Sequence, residues 1–373
     1  MPTTNRIIYL DYNATAPLLP AVKEGMLNIM DTPNNASAIH KAGRAARMAV
    51  ENAREQVAKS IGAKTEGVIF TSGATEANNM ALNGITNHTI YAGATEHPAI
   101  LNAVDNINIL SVDHDGLIDL EALNHTLSAL GAPALVSVMM VNNETGVIQP
   151  IKKIASIVHK HGGILHSDCV QALGRIELNM QETGIDMLSL SAHKLGGPQG
   201  VGVLVIDPKI ELTPILRGGG QEKNRRAGTE NVTGIVGFGI AAEQSTLTDT
   251  SKLEKMRDRL EQEIKATAPE VIIHGENAPR VANTSMFSLS GVPSDTQMIH
   301  MDLAGIAVSN GSACSSGRVE PSHVLKAMGC DDNTMGGSAL RVSMGWDTKE
   351  SDIDAFIEAW KTLYDRVGSR LNS

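Results

Sequence analysis

The sequence predicts an α/β protein with a mostly parallel sheet of seven strands, followed by a smaller α+β region. Short apolar runs alternate with amphipathic segments of helix length up to about residue 246. Continuous apolar strands of this kind are typical of a parallel sheet that helices cover on both faces. The predicted strands of this sheet are 68–71, 89–91, 107–112, 134–141, 164–168, 187–191 and 201–206.

The predicted helices between these strands are 38–61, 75–85, 98–103, 120–129 and 151–161. The pattern changes after about Thr246, where a charged helix over 251–268 precedes shorter strands and a last helix runs over 350–367. The predicted strands of this second region are 271–274, 284–289 and 340–344. We therefore expect a large domain over residues 16–250 and a small domain formed by residues 1–15 and 251–373.

Composition and charge narrow the classes of function. Apolar residues make up 42% of the chain, charged residues 19%, and the net charge is −10. The sequence has no basic stripe suited to nucleic acid, no apolar run long enough to span a membrane and no apolar signal region. Its three cysteines, Cys169, Cys314 and Cys330, form neither a CxxC motif nor a disulfide framework. We expect a cytoplasmic protein with free thiols and without nucleic-acid or membrane partners.

Two polar motifs follow predicted strands, at the edge where α/β sheets bind their ligands. Residues 72–76 (Ser-Gly-Ala-Thr-Glu) open a helix, whose N-terminal N–H groups suit an anion. An ordinary N-cap at Thr75 explains the same run equally well. Asp168 ends an apolar strand, where a buried carboxylate needs a partner such as a protonated ring nitrogen. A turn cap or a metal pair with His166 is the alternative, although no third metal ligand has a recognisable spacing.

Lys194 and Cys314 are the residues that best predict the chemistry. Lys194 follows the strand at 187–191 among small residues and glycines, and burial there would lower its pKa and favour imine formation. A surface lysine is the simpler interpretation of this residue alone, but Asp168 after the preceding strand favours a catalytic one. Cys314 lies in the run 311–317 (Gly-Ser-Ala-Cys-Ser-Ser-Gly), which predicts an exposed flexible loop. An amine and a mobile thiol suit an enzyme that removes sulfur from an amino acid.

In their joint order, the motifs resemble those of the cysteine desulfurases, which are fold-type-I pyridoxal-phosphate (PLP) enzymes of the class V aminotransferase family close to NifS and IscS. The resemblance covers nearly the whole chain and implies the fold-type-I architecture with PLP as cofactor. The matching runs are 9–17, 72–79, 96–97, 141–146, 168–171, 191–194, 218–222, 226–229, 312–316 and 341–343.

The resemblance implies a role for each matching side chain. The implied contacts to PLP are Lys194 as covalent anchor, Asp168 at the ring nitrogen, His97 on the ring face, Gln171 at the phenolic oxygen and Asn143 beside cofactor and substrate. The implied phosphate contacts are Ala74, Thr75, Ser191 and His193, with Thr229 reaching over from a second subunit. Arg341 would bind the substrate carboxylate, a task suited to a planar cation that is always charged.

The implied reaction converts L-cysteine to L-alanine. Lys194 would remove the α-proton, His97 would help to move protons, and Cys314 would accept the sulfur as a persulfide. A sulfur-acceptor protein would then use it for iron–sulfur clusters, thio-cofactors or tRNA. No resident metal is expected, although Cys314 is a candidate transient ligand of an iron–sulfur cluster. Because Thr229 is expected to act in trans, we expect a homodimer.

The sequence leaves two other interpretations open. A related PLP enzyme, such as a class V aminotransferase or a selenocysteine lyase, would keep Lys194 and Asp168 without needing Cys314. A non-catalytic subunit of the same fold would only bind partners. One segment departs from the family pattern, because Ala36 and Ala38 replace its proline and its second serine, and this loop receives no assigned role.

Overall fold

A computed structural model describes residues 7–33, 35–245, 249–310, 322–330 and 336–371. The strands in these residues are β1 (Ile8–Tyr9), β2 (Val68–Thr71), β3 (Thr89–Gly93), β4 (Asn108–Leu110), β5 (Ala134–Ser137), β6 (Ile164–Asp168), β7 (Met187–Ser191), β8 (Gly202–Ile206), β9 (Ile272–Ile273), β10 (Thr284–Ser288), β11 (Ile306–Ala307) and β12 (Ala339–Ser343). The α-helices are α1 (Pro20–Met30), α2 (Lys41–Ser60), α3 (Ala74–Gly84), α4 (Pro98–Leu101), α5 (Leu120–Leu130), α6 (Ile151–Lys160), α7 (Met180–Thr183), α8 (Val232–Ser245), α9 (Ser251–Thr267), α10 (Ser294–Leu303), α11 (His323–Ala327) and α12 (Glu350–Leu371).

The main sheet has seven strands in the order β2-β8-β7-β6-β5-β3-β4, which confirms the predicted mostly parallel sheet. Only β8 runs against its neighbours, since it pairs antiparallel with both β2 and β7. Strands β2, β5, β7 and β8 are buried along their whole length, as expected for a sheet with helices on both faces. Strands β6 and β7 pair in parallel, so their carboxyl ends lie side by side at the same edge of the sheet.

Strand β5 is shorter than predicted, because it ends at Ser137 instead of continuing to Val141. The next residues stay extended and buried, and the amides of Val138 and Met140 donate to the carbonyls of His166 and Asp168 at 3.1 and 3.0 Å. The predicted apolar run 134–141 is therefore buried throughout, but its last residues form a connecting segment that is hydrogen-bonded to the end of β6.

A second hydrophobic core lies against the sheet β12-β10-β9. Phe287 contacts Phe356 and Trp360 edge-on, with ring centroids 6.5 and 5.9 Å apart. Leu10 packs into this core, and β1 pairs in parallel with β11. The N-terminal segment thus packs with C-terminal residues; the division into two domains at residues 16 and 251 stays a prediction.

Helix α8 was not expected from the sequence, because its glycines conceal a helical pattern. It packs closely on α2: a Cβ at Gly239 would lie 2.7 Å from the Cα of Ala53. The glycines are therefore needed for this close approach, despite the intrinsic cost of glycine in a helix. Across the ranges described above, no helix combines the length and apolarity needed to cross a bilayer.

Candidate active site

A cavity of about 710 Å³ lies at the carboxyl ends of β6 and β7. The residues predicted for the site that line it are Ala74, Thr75, His97, Asn143, Asp168, Gln171, Ser191, His193, Lys194 and Arg341. Thr229 is exposed and does not line this cavity. Cys314 lies outside the described residues. The structure therefore brings ten residues from distant parts of the sequence into one cavity.

Asp168 is buried at the end of β6, with both carboxylate oxygens engaged. Its Oδ2 accepts a 2.7 Å hydrogen bond from the side-chain amide of Asn78, and its Oδ1 accepts one of 3.0 Å from the backbone N–H of Val170. These bonds fix the carboxylate plane in the cavity wall. Asn78 has no exposed surface, and its own Oδ1 has no hydrogen-bond partner among the described residues.

His97 sits at the N-cap of the short helix α4. Its Nδ1 accepts a 3.0 Å bond from the N–H of Ala99, so a neutral ring carries its proton on Nε2. Burial lowers the pKa of His97, although the charge of Asp168 acts in the opposite direction. The preceding Glu96 is buried, and burial raises its pKa well above the usual range. Burial thus favours the neutral form of Glu96.

Lys194 follows β7 in a single 3-10 turn, Ala192–Lys194. Its Nζ donates to the backbone carbonyls of Asn13 and Ala14 at 2.6 and 2.7 Å. Burial lowers its pKa to about 8, with smaller contributions from the cations Arg175 and Arg341. The lowered pKa increases the neutral fraction of the amine, which favours a reactive lysine over an ordinary surface one.

Asn13 connects the N-terminal segment by hydrogen bonds to residues of the large sheet region and of the C-terminal region. Its carbonyl oxygen also accepts a 3.0 Å bond from Nε2 of Gln171, and its N–H donates to Oγ of Ser343 at 3.0 Å. Its side-chain amide donates to the carbonyl of Asn143 and to Oγ1 of Thr284. This arrangement holds the carbonyl that Lys194 uses as an acceptor.

Arg341 lies in the middle of β12 and projects toward the large sheet. Its Nη1 donates to the carbonyl of Asn143 at 2.9 Å, and its Nη2 pairs with Oδ1 of Asp11 at 2.7 Å. Its Nε is buried and has no hydrogen-bond partner among the described residues. The guanidinium is thus fixed at the cavity wall, and its Nε–H can still donate a hydrogen bond.

The N-terminus of α3 borders the cavity without a side-chain cap. The N-cap is Gly73 and the helix starts at Ala74, so the alternative interpretation of an N-cap at Thr75 is wrong. Ser72, Gly73, Ala74 and Thr75 all line the cavity. A Cβ at Gly202 of β8 would lie 2.6 Å from the carbonyl carbon of Gly73, so only glycine admits this turn. The helix end therefore presents uncapped N–H groups suited to an anion.

His193 and His166 show how burial decides the role of a histidine. His193 lies beside Lys194, with its Nδ1 3.2 Å from Oγ1 of Thr15, and burial lowers its pKa to about 4. The ring of His166 bridges the hydroxyls of Ser137 and Ser189 at 2.9 and 3.0 Å, and burial lowers its pKa to about 3. His166 thus links three strands, and both of its nitrogens are occupied by serines.

Comparison with known proteins identifies the family. The aminotransferase class-V model matches residues 8–356. Cysteine desulfurase IscS of Dictyoglomus turgidum is 38% identical over 379 residues, covering 97% of this chain and 95% of that protein. A cysteine desulfurase of Nostoc sp. is 40% identical over 377 residues, covering 97% and 94%. The X-ray structure of a NifS-like protein from Rickettsia africae has a TM-score of 0.91 and 37% identity, covering 96% of this chain and 100% of that one.

The chain belongs to the aminotransferase class-V family, whose members are PLP-dependent enzymes. Within this family it belongs with the cysteine desulfurases. The residues of the cavity fit PLP, since they supply an anionic carboxylate, an amine of lowered pKa and an uncapped helix N-terminus. Buried Oδ1 of Asn78 and Oε1 of Gln171 also lack partners among the described residues, as expected for atoms beside a bound polar group.

Two residues of this cavity, Asn13 and Asn78, received no individual role from the sequence. Both lie in runs that match the family, 9–17 and 72–79. Helical spacing offered a signal for Asn78, which lies one turn after Ala74 and so on the same face of α3. No local signal existed for Asn13, because its partners lie far away in the sequence.

Proposed function

We propose that the chain is a PLP-dependent enzyme that converts L-cysteine to L-alanine and transfers the sulfur to Cys314 as a persulfide. The observation that supports this most directly is the Lys194 amine, whose pKa is lowered to about 8, in one cavity with Asp168 and Arg341. The cavity thus offers a nucleophilic amine, a fixed anion and a fixed cation. The sulfur would serve iron–sulfur cluster, thio-cofactor or tRNA biosynthesis.

The residues proposed to hold the cofactor form two groups, one that contacts the ring and one that contacts the phosphate. Asp168 would accept a hydrogen bond from the ring nitrogen, with Asn78 fixing the other side of the carboxylate. His97 would cover a ring face, and Gln171 would bond the phenolic oxygen. The proposed phosphate contacts are Ala74, Thr75, Ser191 and His193, together with Thr229 of a second subunit. The N-terminus of α3 supports this assignment, because it borders the cavity uncapped.

PLP supplies an electron sink for the negative charge that develops at Cα when the substrate loses its α-proton. Lys194 would take this proton, since its lowered pKa increases the neutral fraction of its amine. Arg341 would bind the substrate carboxylate while Asp11 and the Asn143 carbonyl orient the guanidinium. His97, whose lowered pKa favours a neutral ring with its proton on Nε2, would move protons within the cavity.

Sulfur transfer to Cys314 balances without an added oxidant. A bond forms between Sγ of Cys314 and the substrate sulfur, and the substrate Cβ–S bond breaks. The electron pair of that bond returns to Cβ, which is protonated, so one cysteine and one thiol give one alanine and one persulfide. Cys169 cannot replace Cys314, because it is fully buried and burial raises its pKa to about 12.

We further propose a cytoplasmic homodimer that passes its persulfide sulfur to an acceptor protein. Thr229 is exposed and lies outside its own cavity, as a residue acting in a second subunit would. Exposed apolar side chains support burial against a second copy: Leu27 is 55% exposed, Met30 61%, Ile39 91% and Met48 65%. An isologous dimer of this chain would cover such side chains on both subunits.

The decisive experiment measures alanine and sulfide formed from L-cysteine with a thiol reductant, for the wild type and for Cys314→Ala. We expect equal amounts of both products from the wild type and neither from the variant, at unchanged PLP content. Cys330→Ala is the matched control and should stay active. Equal activity of Cys314→Ala and wild type would instead favour a lyase, and inactivity of both would contradict the proposed reaction.

A further inference from the structure

A second cavity, of about 260 Å³, lies on the other side of Lys194 from the proposed PLP site. Lys194 lines both cavities, while none of the other residues around the second cavity lines the first. Arg175 lines this second cavity and also an adjoining groove of about 520 Å³. Arg175 thus borders both the groove and the second cavity, and Lys194 borders the second cavity as well.

Arg175 is a cation without a counter-ion in the described part of the chain. Its Nη1 is buried and has no hydrogen-bond partner there, and no described carboxylate forms an ion pair with it. Burial lowers its pKa to about 9, helped by the charge of Arg341. Arg175 is half-buried, and its buried Nη1 lacks a hydrogen-bond acceptor, so a bound anion would supply the missing interaction.

The walls of the second cavity define which anion fits. The described lining holds Arg175 and Lys194 but no aspartate or glutamate, so the ammonium group of an amino acid would find no counter-ion there. Its apolar and aromatic wall residues include Tyr12, Leu19, Leu195, Leu253, Met344 and Trp346. One guanidinium fork beside apolar walls suits a carboxylate with a small apolar body better than a phosphate dianion.

We propose that this second cavity is a binding site for a small monocarboxylate, whose carboxylate pairs with the guanidinium of Arg175 and whose apolar part lies against Trp346. Trp346 is 48% exposed, which leaves it room to cover a ligand, whereas Trp360 is buried in the second core. The two tryptophans of the chain therefore differ in their access to this cavity. Binding here requires neither cysteine nor turnover, so it can be tested apart from the desulfurase reaction.

The test is a fluorescence titration of the PLP-loaded protein with benzoate, excited at the red edge of tryptophan absorption. We expect a saturable change that benzamide, an uncharged molecule of the same shape, does not produce, and that Trp346→Phe abolishes. Inorganic phosphate and L-alanine should bind much more weakly. Identical responses to benzoate and benzamide, or no saturable response, would overturn the proposal without any variant.

Charge-removing variants then test whether Arg175 binds the carboxylate of benzoate. Arg175→Gln should weaken benzoate binding about tenfold or more, the loss expected for one charge-assisted hydrogen bond. Lys153→Gln is the matched control, since it removes the same charge from an exposed position and should bind as the wild type does. Unchanged benzoate affinity in Arg175→Gln would contradict the site, and if that variant fails to fold, the benzoate and benzamide titrations of the wild type still decide.

Discussion

The side-chain amide of Asn78 donates a 2.7 Å hydrogen bond to Oδ2 of Asp168, joining α3 to the end of β6. The same helix begins at Ala74, where its uncapped N-terminus borders the cavity. One helix therefore contributes to both ends of the proposed cofactor site. Any tilt of α3 would move the anion site and the carboxylate of Asp168 together.

Asn78→Ala should weaken PLP binding about tenfold or more, because a hydrogen bond to a charged group contributes about 1.5–3 kcal/mol. The measurement is an absorbance titration of the apoprotein with PLP. Asn79→Ala is the matched control, since Asn79 is only half-buried and its side-chain amide donates to the Thr75 carbonyl of its own helix. Equal losses in the two variants would mean that the helix, and not the contact to Asp168, determines the affinity.

Arg341→Lys should raise the KM for L-cysteine about tenfold or more, with a smaller change in kcat and unchanged PLP content. Lysine keeps the charge but loses the planar fork that a carboxylate matches. Steady-state kinetics at saturating PLP gives both constants. Arg259→Lys, at a surface ion pair with Asp354, is the control. A fall in kcat at constant KM would argue against a role in binding the substrate carboxylate.

Lys194 should make the stability of the apoprotein depend on pH. Its pKa is lowered in the folded chain from 10.5 to about 8, so between these values the unfolded chain binds more protons. The free energy of unfolding should therefore rise through that window, by on the order of 1 kcal/mol after allowance for solvent exposure. Urea unfolding at pH 7 and pH 9.5 measures the rise, which Lys194→Met should remove. The same slope in wild type and variant would contradict the lowered pKa.

A heterodimer of Lys194→Ala and Thr229→Ala should regain activity that neither homodimer has at limiting PLP. If Thr229 acts in the second subunit, one of the two sites in the heterodimer contains both intact residues. Two affinity tags on the co-expressed variants allow the heterodimer to be purified and assayed. Activity no higher than that of the parents would place Thr229 in its own subunit's site or outside any site.

The central strands β6 and β7 were predictable because each apolar run ends in a polar residue, and such a residue at the carboxyl end of a strand is suited to binding a ligand. The ends of β6 at Asp168 and β7 at Ser191 agree with the prediction, and Lys194 is half-buried with a lowered pKa. Helix α8 was missed because its packing on α2 replaces a hydrophobic period with glycines. The choice between an anion site and a cap at Thr75 also needed the structure, since the cap residue is Gly73.

The assembly of the site exceeds what local patterns can predict. Asn13 contacts Asn143, Thr284 and Ser343, residues in three separate segments. Such pairings depend on the closure of the whole chain and leave no periodic signal nearby. The cavity beside Arg175 is of the same kind, because it forms where the turn after β6 meets the segments near Leu253 and Met344.

The hydrogen bond between Asn13 and Ser343 spans 330 positions of the chain. At typical translation rates, roughly 20 to 60 seconds separate the synthesis of these two residues. The nascent chain can therefore form its large sheet well before β12 leaves the ribosome to fix the acceptor of Lys194. We therefore expect cofactor loading to follow translation of β12, because Arg341 and Ser343 of this strand complete the cavity.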